Sequence, residues 1–227
     1  TMYRYIFGDT ETTGLGKDAG IVEISWVETD ENFNEVDRHY SLINPEKPIQ
    51  PGAMGAHGIT EAMVANSPTI LEFMDSIAYP LYPKVGIKSV LVAHNCAFDI
   101  NFFGGWMDDP LTLCTLKAAR VIYPEADNHK LTTLKYYLGL EGCHDRAHSA
   151  DEDVNVLMQL VKRMCQDAEC GLPELMHIQN IPRKIHKMSF GKHRGKNLSE
   201  LPKDYVNWLL TKADNIDSDL RASLLAL

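Results

Sequence analysis

The chain of 227 residues lacks any apolar run close to the roughly 18 to 20 residues of a membrane-spanning helix. Its first residues also lack the apolar segment of a secretory signal peptide. The five cysteines are odd in number and include no Cys-x-x-Cys pair, which argues against a disulfide framework or a zinc ribbon. We therefore expect a cytoplasmic protein that works in a reducing compartment, with no membrane partner.

Positive charge is scarce, since 22 Lys and Arg face 31 Asp and Glu and the net charge is −9. The positive charge is also concentrated, because residues 182–197 hold six basic residues and no acid. An acidic body with one basic segment suggests local contact with a polyanion. A content of 44% hydrophobic and 23% charged residues excludes a mainly disordered chain.

Strand-like runs come first along the chain, and helical periodicity follows. The predicted strands are residues 3–7, 21–27, 40–43, 90–93 and 111–114. The predicted helices are residues 69–77, 97–103, 116–122, 131–138 and 151–166. This order predicts an α/β fold with a mixed sheet flanked by helices.

Two prolines, Pro173 and Pro182, interrupt the pattern and suggest a linker. We therefore divide the chain into a domain of residues 1–170, a linker of 171–185 and a small basic α+β module of 186–227. In the module, a strand leads into a turn from Gly191 to Gly195, and a helix follows with Ser199 or Asp204 as its N-cap. Its aromatic residues Phe190, Tyr205 and Trp208 are expected to form its core.

Asp9 and Glu11 directly follow the first apolar run. Residues two apart on a strand point to the same face, so the two carboxylates converge if the strand continues that far. Two adjacent buried anions need a cation. The pair alone is equally compatible with a solvated turn.

Two later segments supply further acids. Asp99 lies in the first turn of a predicted helix, where the helix dipole alone would explain it. Asp153 instead continues the apolar stripe of Leu157, Leu160 and Met164, and an acid in that position suits a metal ligand better than a core. His148, five residues earlier, is then a candidate base, since histidine accepts a proton near neutral pH.

Asp9, Glu11, Asp99 and Asp153 together describe a site with oxygen ligands alone. Hard cations such as Mg²⁺ or Mn²⁺ prefer such ligands. Two of these cations, held by shared carboxylates, suit in-line displacement at phosphorus. His148 would take the proton of the attacking water.

The motifs that carry these acids resemble those of the DEDDh (DnaQ-like) 3′–5′ exonuclease family. Asp9 and Glu11 in FGDTETTGL resemble the first motif, Asp99 in HNCAFD the second, and His148 and Asp153 in HSADED the third. Position 149 is serine, so the histidine branch fits better than the tyrosine branch. The resemblance implies a ribonuclease-H-like fold and catalytic roles for these acids and for His148.

The segments PIQPGAMGAHGITEAMVA and MSFGKHRGKNLSELPKDYVNWLL extend the resemblance to members that carry a small C-terminal module, over about residues 3 to 225. It implies hydrolysis of DNA from single- or double-stranded 3′ ends, in DNA repair or recombination. It also implies substrate contacts at four positions: Thr12, Gly14, Leu15 and His57. Leu15 could instead be a core or loop leucine.

The basic turn offers contacts to the DNA backbone through Lys192, Arg194 and Lys196. A solvated basic hairpin is the alternative. Two departures from the family pattern stand near the acids: Gly8 would loosen the strand before Asp9, and Ser149 replaces a common basic residue.

Several functions stay open besides a DNA exonuclease. An exoribonuclease of the RNA-trimming or oligoribonuclease type would use the same chemistry, and so would a proofreading subunit. A non-catalytic nucleic-acid-binding module is disfavoured, because all four acids and the histidine are present. The sequence also leaves open a homodimer.

Overall fold

The computed structural model describes residues 2–16, 18–140, 149–213 and 216–227. The chain divides into two compact units, Thr1–Gln179 and Asn180–Leu227. Within the described ranges, no helix is both long and apolar enough to cross a membrane.

The first unit is built on a five-stranded mixed sheet in the order β3-β2-β1-β4-β5. β1, β2 and β3 form an antiparallel meander, and β4 pairs in parallel with both β1 and β5. The predicted fold class is confirmed. The strands are β1 (Met2–Thr12), β2 (Ile21–Thr29), β3 (Glu35–Leu42), β4 (Ile87–Ala93) and β5 (Leu111–Cys114).

Eight helices are described in the first unit. They are α1 (Pro51–His57), α2 (Glu61–Val64), α3 (Ile70–Ser76), α4 (Cys96–Met107), α5 (Thr115–Ile122), α6 (Leu131–Tyr137), α7 (Ala150–Asp167) and α8 (Leu172–Ile178). They cover both faces of the sheet. Tyr5 and Phe7 of β1 pack with α7, whereas Ile6 faces α4, as the alternation of a strand requires.

β3 begins at Glu35, five residues earlier than predicted. Among the described strands it pairs with β2 alone, and its residues are exposed or half-buried, so charged residues replace the apolar alternation that would reveal it. α1 and α2 were not predicted either. They are short, and α1 contains two glycines, which are poor helix formers.

The predicted linker of residues 171–185 is wrong in its first half. Residues 172–178 form α8, and Leu172 and Leu175 are fully buried in the same core as α7. Pro173 lies within the first turn of α8, where the missing N–H costs no hydrogen bond. The proline that suggested a linker therefore belongs to the start of a helix.

The second unit has a small core of its own. Its helices are α9 (Lys203–Thr211) and α10 (Ser218–Leu225), preceded by 3₁₀ turns at Gly191–His193 and Leu198–Glu200. Six buried residues form that core: Met188, Leu198, Leu201, Leu209, Leu220 and Leu224. In the predicted strand region, a single bridge joins Lys187 to Asn197.

Two details of this unit differ from the prediction. Pro202 is the N-cap of α9, so neither Ser199 nor Asp204 holds that position. Tyr205 packs against the core, but Phe190 and Trp208 are 44% and 48% exposed. The expected core role is therefore wrong for these two rings.

Gly8 does not interrupt β1, which pairs with β2 on both sides of it. The ring of Phe103 from α4 fills the space beside it, and an added Cβ would lie 2.7 Å from Cζ of that ring. The strand is thus regular at Asp9, and the expected loosening is wrong. Glycine is required here because a neighbouring side chain approaches the backbone.

Candidate active site

Three of the predicted acids meet where β1 ends and α7 begins. Asp9 and Glu11 extend from β1 and Asp153 from the first turn of α7. One ligand oxygen of each lies within 4.8 Å of the others. We call these three residues the acid cluster.

The acid cluster is held in place by apolar packing on the same face of the sheet. Val154 and Leu157 of α7 are buried in one core with Tyr5 and Phe7 of β1. Asp153 therefore lies at the end of a packed apolar stripe, beside the carboxylates that follow Phe7. This close packing fixes the positions of the three acids.

Asp99 lies on the α4 side of β1, outside the group of oxygens within 4.8 Å, but its charge is the largest one acting on Asp9. It is only 2% exposed, and Thr10 Oγ1 donates a hydrogen bond of 3.0 Å to its Oδ1. Thr10 stands between Asp9 and Glu11 but points to the opposite face. Asp99 is still near enough for its charge to raise the pKa of Asp9.

The pKa values of these acids show the cost of bringing them together. Burial, followed by the charges of Asp99 and Asp153, holds the pKa of Asp9 well above its usual range. Burial, followed by the charge of Asp153, raises the pKa of Glu11 to about 8. Burial raises the pKa of Asp99 to about 7 against the hydrogen bond from Thr10. A bound cation would offset both the burial of these carboxylates and the repulsion between them.

The donor set fits a divalent metal. It offers carboxylate oxygens from two elements that point at one location, partly buried and free of sulfur or imidazole ligands among the grouped residues. Oxygen ligands of this kind are typical of hard divalent cations. By geometry and by charge, the acid cluster could hold a divalent metal ion.

His148 lies outside the described residues, and its expected role as a base stays a prediction. The described chain resumes at Ser149, the N-cap residue of α7. Ser149 Oγ lies 3.4 Å from Oε1 of Glu23. Ser149 is therefore in contact with β2 through Glu23.

Glu23 is a residue of this site that sequence reasoning missed. It stands opposite Glu11 in the β1–β2 pair and is 3% exposed. Its Oε2 accepts a hydrogen bond of 2.8 Å from the backbone N–H of Ala150, and its Oε1 accepts one of 2.8 Å from Tyr40. The signal was present, because Glu23 is an acid inside the apolar run of β2.

Three of the four predicted substrate-contact residues lie at the end of β1 and in the turn that follows: Thr12, Gly14 and Leu15. The fourth, His57, is the last residue of α1 and contacts the same turn. Thr12 Oγ1 donates to the Gly14 carbonyl at 2.7 Å, and His57 Nε2 lies 3.1 Å from the Thr12 carbonyl. His57 Nδ1 accepts from Ile59 N–H, so Nε2 carries the proton and donates. Leu15 is 91% exposed, which excludes the core role for it.

Lys192, Arg194 and Lys196 are all exposed in the second unit. Lys192 Nζ lies 5.3 Å from the centre of the Tyr205 ring, a cation–π distance. The basic turn therefore presents its charges to solvent.

Comparison with known proteins shows the family to which the chain belongs. The model of the exonuclease family RNase_T matches residues 6–161. The chain belongs to this exonuclease family. It is a metal-dependent nuclease of the DnaQ-like type, as the three motifs predicted.

Relatives match over most of the chain. Exodeoxyribonuclease 10 of Escherichia coli K12 is 31% identical over 98% of this chain and 97% of its own length. A DNA polymerase III subunit epsilon-like protein of Rhodobacter capsulatus is 34% identical over 64% of this chain and 21% of its own.

Solved structures agree with the fold. Exonuclease X in complex with 5′-overhanging duplex DNA is 29% identical, with a TM-score of 0.59 over 79% of this chain and 100% of that chain. Exonuclease I of E. coli bound to dT13 is 21% identical, with a TM-score of 0.62 over 77% of this chain and 43% of that chain, and shows the fold alone. A second family model, of a quorum-sensing-regulated virulence factor, matches residues 178–214.

Proposed function

We propose that this protein is a 3′–5′ exodeoxyribonuclease that releases nucleotides from DNA 3′ ends. The observation that carries the proposal is the acid cluster, in which Asp9, Glu11 and Asp153 converge and the pKa values of Asp9 and Glu11 are raised. A relative named as an exodeoxyribonuclease, matched over 97% of its length, supports DNA as the substrate.

The metal ligands in this proposal are Asp9, Glu11, Asp99 and Asp153, which would hold two Mg²⁺ or Mn²⁺ ions. Bound there, such ions supply an activated water and neutralise charge on the scissile phosphate and the leaving oxygen. Asp9 would hold a metal together with Asp99 and Asp153, whose charges both raise its pKa. Thr10 holds Asp99 through its hydrogen bond.

The chain's own residues complete the reaction. His148 takes the proton of the attacking water, whose oxygen bonds to phosphorus as the bond to the 3′ oxygen of the preceding nucleotide breaks. The product is a nucleoside 5′-monophosphate and a strand shortened by one nucleotide. Glu23 holds the first turn of α7 through Ser149 and the backbone N–H of Ala150.

The terminal nucleotide meets the turn that follows β1. Leu15, exposed to solvent, would pack on the terminal base. The backbone between Thr12 and Gly14, fixed by His57, would contact the sugar and the phosphate. Lys192, Arg194 and Lys196 would contact the DNA backbone without reading its sequence.

Matched DNA and RNA oligonucleotides, labelled at the 5′ end, test the function. We expect stepwise shortening of the DNA from its 3′ end in Mg²⁺, none in EDTA, and slower shortening of the RNA. Asp153→Asn should lose activity by at least about 100-fold while the fold survives. Faster digestion of the RNA would make the protein an exoribonuclease, and an active Asp153→Asn variant would contradict the metal-site assignment.

A further inference from the structure

A cavity of about 680 Å³ lies directly beside Asp153. Its lining includes the polar residues His94, Arg120, Asn128, His129, Lys130 and Asp153, and we call it the Arg120 cavity. Its volume is within the range that takes a small ligand or a nucleotide, about 300–1,000 Å³. Since Asp153 also belongs to the acid cluster, that cluster and the Arg120 cavity share a wall.

The charge of the Arg120 cavity is opposite to that of the acid cluster. Arg120, at the end of α5, and Lys130, at the start of α6, both line it. Asp153 is the one acid among the described lining residues. In the described part of the chain, the ion pairs use neither Arg120 nor Lys130. In an acidic protein, two such cations beside the metal-binding acids mark a site for an anion.

Hydrogen bonds fix the wall between these two cations. His94 Nε2 donates to the His129 carbonyl at 2.8 Å, and its Nδ1 accepts from Thr115 Oγ1 at 2.9 Å. Burial lowers the pKa of His94 to about 4, so this ring is neutral and acts as a brace. His129 Nε2 in turn donates to the Tyr123 carbonyl at 2.9 Å. The cavity wall is therefore built before any ligand arrives.

We propose that the Arg120 cavity binds the backbone phosphates of the substrate strand that precede the scissile phosphate. Given the proposed function, this assignment follows from the chemistry of a 3′ end. The terminal nucleotide carries one phosphate, the scissile one, and ends in a free hydroxyl. Any further phosphate on that strand belongs to the preceding nucleotides, on the side of the leaving oxygen. Arg120 and Lys130 would therefore favour substrates that have nucleotides before the terminal one.

A pair of substrates separates this site from the catalytic centre. Thymidine 5′-(4-nitrophenyl phosphate) has the scissile phosphate and a leaving group but no preceding nucleotide, whereas a thymidine oligonucleotide has both. The double variant Arg120→Gln/Lys130→Gln should raise KM for the oligonucleotide about tenfold and leave its kcat nearly unchanged. Its kcat/KM for the nitrophenyl ester should stay within about twofold of the unchanged protein, because no contact of the ester is lost.

Lys117→Gln is the matched control, since Lys117 lies on the same helix α5, is exposed and does not line the cavity. It removes one positive charge and should leave KM for both substrates unaltered. An equal loss on both substrates for the double variant would overturn the proposal, and so would an unchanged KM for the oligonucleotide.

Binding measured without hydrolysis separates this proposal from the proposed function. With Ca²⁺ in place of Mg²⁺, fluorescence anisotropy of a labelled oligonucleotide gives affinity over a range of salt concentrations. The double variant should lower the slope of log affinity against log salt by about 1.4, since each lost single-strand phosphate contact removes about 0.7. If the unchanged protein cleaves neither substrate, the proposed function fails, and the salt slope still decides whether the Arg120 cavity binds phosphates.

Discussion

The side chain of Glu23 holds the backbone of Ala150: Oε2 accepts the Ala150 N–H at 2.8 Å. A buried acid of β2 thus provides the first acceptor for the N-terminus of α7, the helix that carries Asp153. An anion at this end of a helix is also favoured by the helix dipole. The position of Asp153, a candidate metal ligand on α7, therefore depends on a residue of β2.

Glu23→Ala should damage both stability and catalysis. It leaves the Ala150 N–H without its acceptor, which we expect to cost about 1–3 kcal/mol of unfolding free energy in a urea titration. Because Asp153 would then be held less firmly, kcat should fall by more than the loss of folded protein explains, with KM changed less. Glu23→Gln keeps an acceptor oxygen and should recover part of kcat. Glu31→Ala, an exposed acid, should change neither quantity, and a Glu23→Ala enzyme with full kcat would contradict the positioning role.

The metal-free protein should lose stability as pH rises. Burial raises the pKa of Glu11 from 4.5 to about 8, so between these values the folded chain keeps a proton that the unfolded chain has lost. The folded state then binds more protons than the unfolded state, and its stability falls with increasing pH. In EDTA, we expect a lower Tm at pH 8.5 than at pH 5.5, and Mg²⁺ should narrow the difference by favouring the ionised acids.

Asp153→Asn checks the cause of that pH dependence. The Asp153 charge is the second contribution, after burial, to the raised pKa of Glu11. Its removal should therefore make the fall in Tm smaller in EDTA and weaken the response to Mg²⁺. An unaltered pH profile in this variant would mean that the acid cluster does not govern the stability of the protein in this range.

Gly8→Ala should destabilise the fold through a clash and not through strand propensity. The new methyl carbon would lie 2.7 Å from Cζ of Phe103, a ring with no exposed surface. Overpacking of this kind costs about 1–3 kcal/mol, measurable by urea unfolding. Adding Phe103→Leu should recover part of the loss, whereas Gly105→Ala, with open space around its Cα, should be neutral or stabilising. A stable Gly8→Ala protein would contradict the close contact.

Leu15→Ala should affect substrate binding alone. The side chain is 91% exposed, so its removal should change the unfolding free energy by no more than about 0.5 kcal/mol. If Leu15 packs on the terminal base, KM should rise about tenfold, since burying a leucine contributes about 1.5–3 kcal/mol. Val85→Ala, another fully exposed apolar residue, serves as the control. An unchanged KM would remove Leu15 from the substrate site.

Local periodicity in the amino-acid sequence was enough to predict the three acids that meet in the acid cluster. Asp9 and Glu11 follow a strand with period two, and Asp153 continues a helical stripe, so local periodicity was enough to bring three acids towards one cation. Long helices and strands with clear periodicity were predicted from the sequence for the same reason. Elements without it were missed, such as α1 with its two glycines and the exposed edge strand β3.

The residues that support the acid cluster became visible from contacts between distant segments. Glu23 joins the site because β2 pairs with β1 and places it opposite Glu11, a relation that spans twelve residues of chain. Gly8 is required because Phe103 packs on it from α4, and Arg120 and Lys130 share a cavity with Asp153 although they are far from it in sequence. Periodicity records the face on which a residue lies, whereas contacts between distant segments follow from packing.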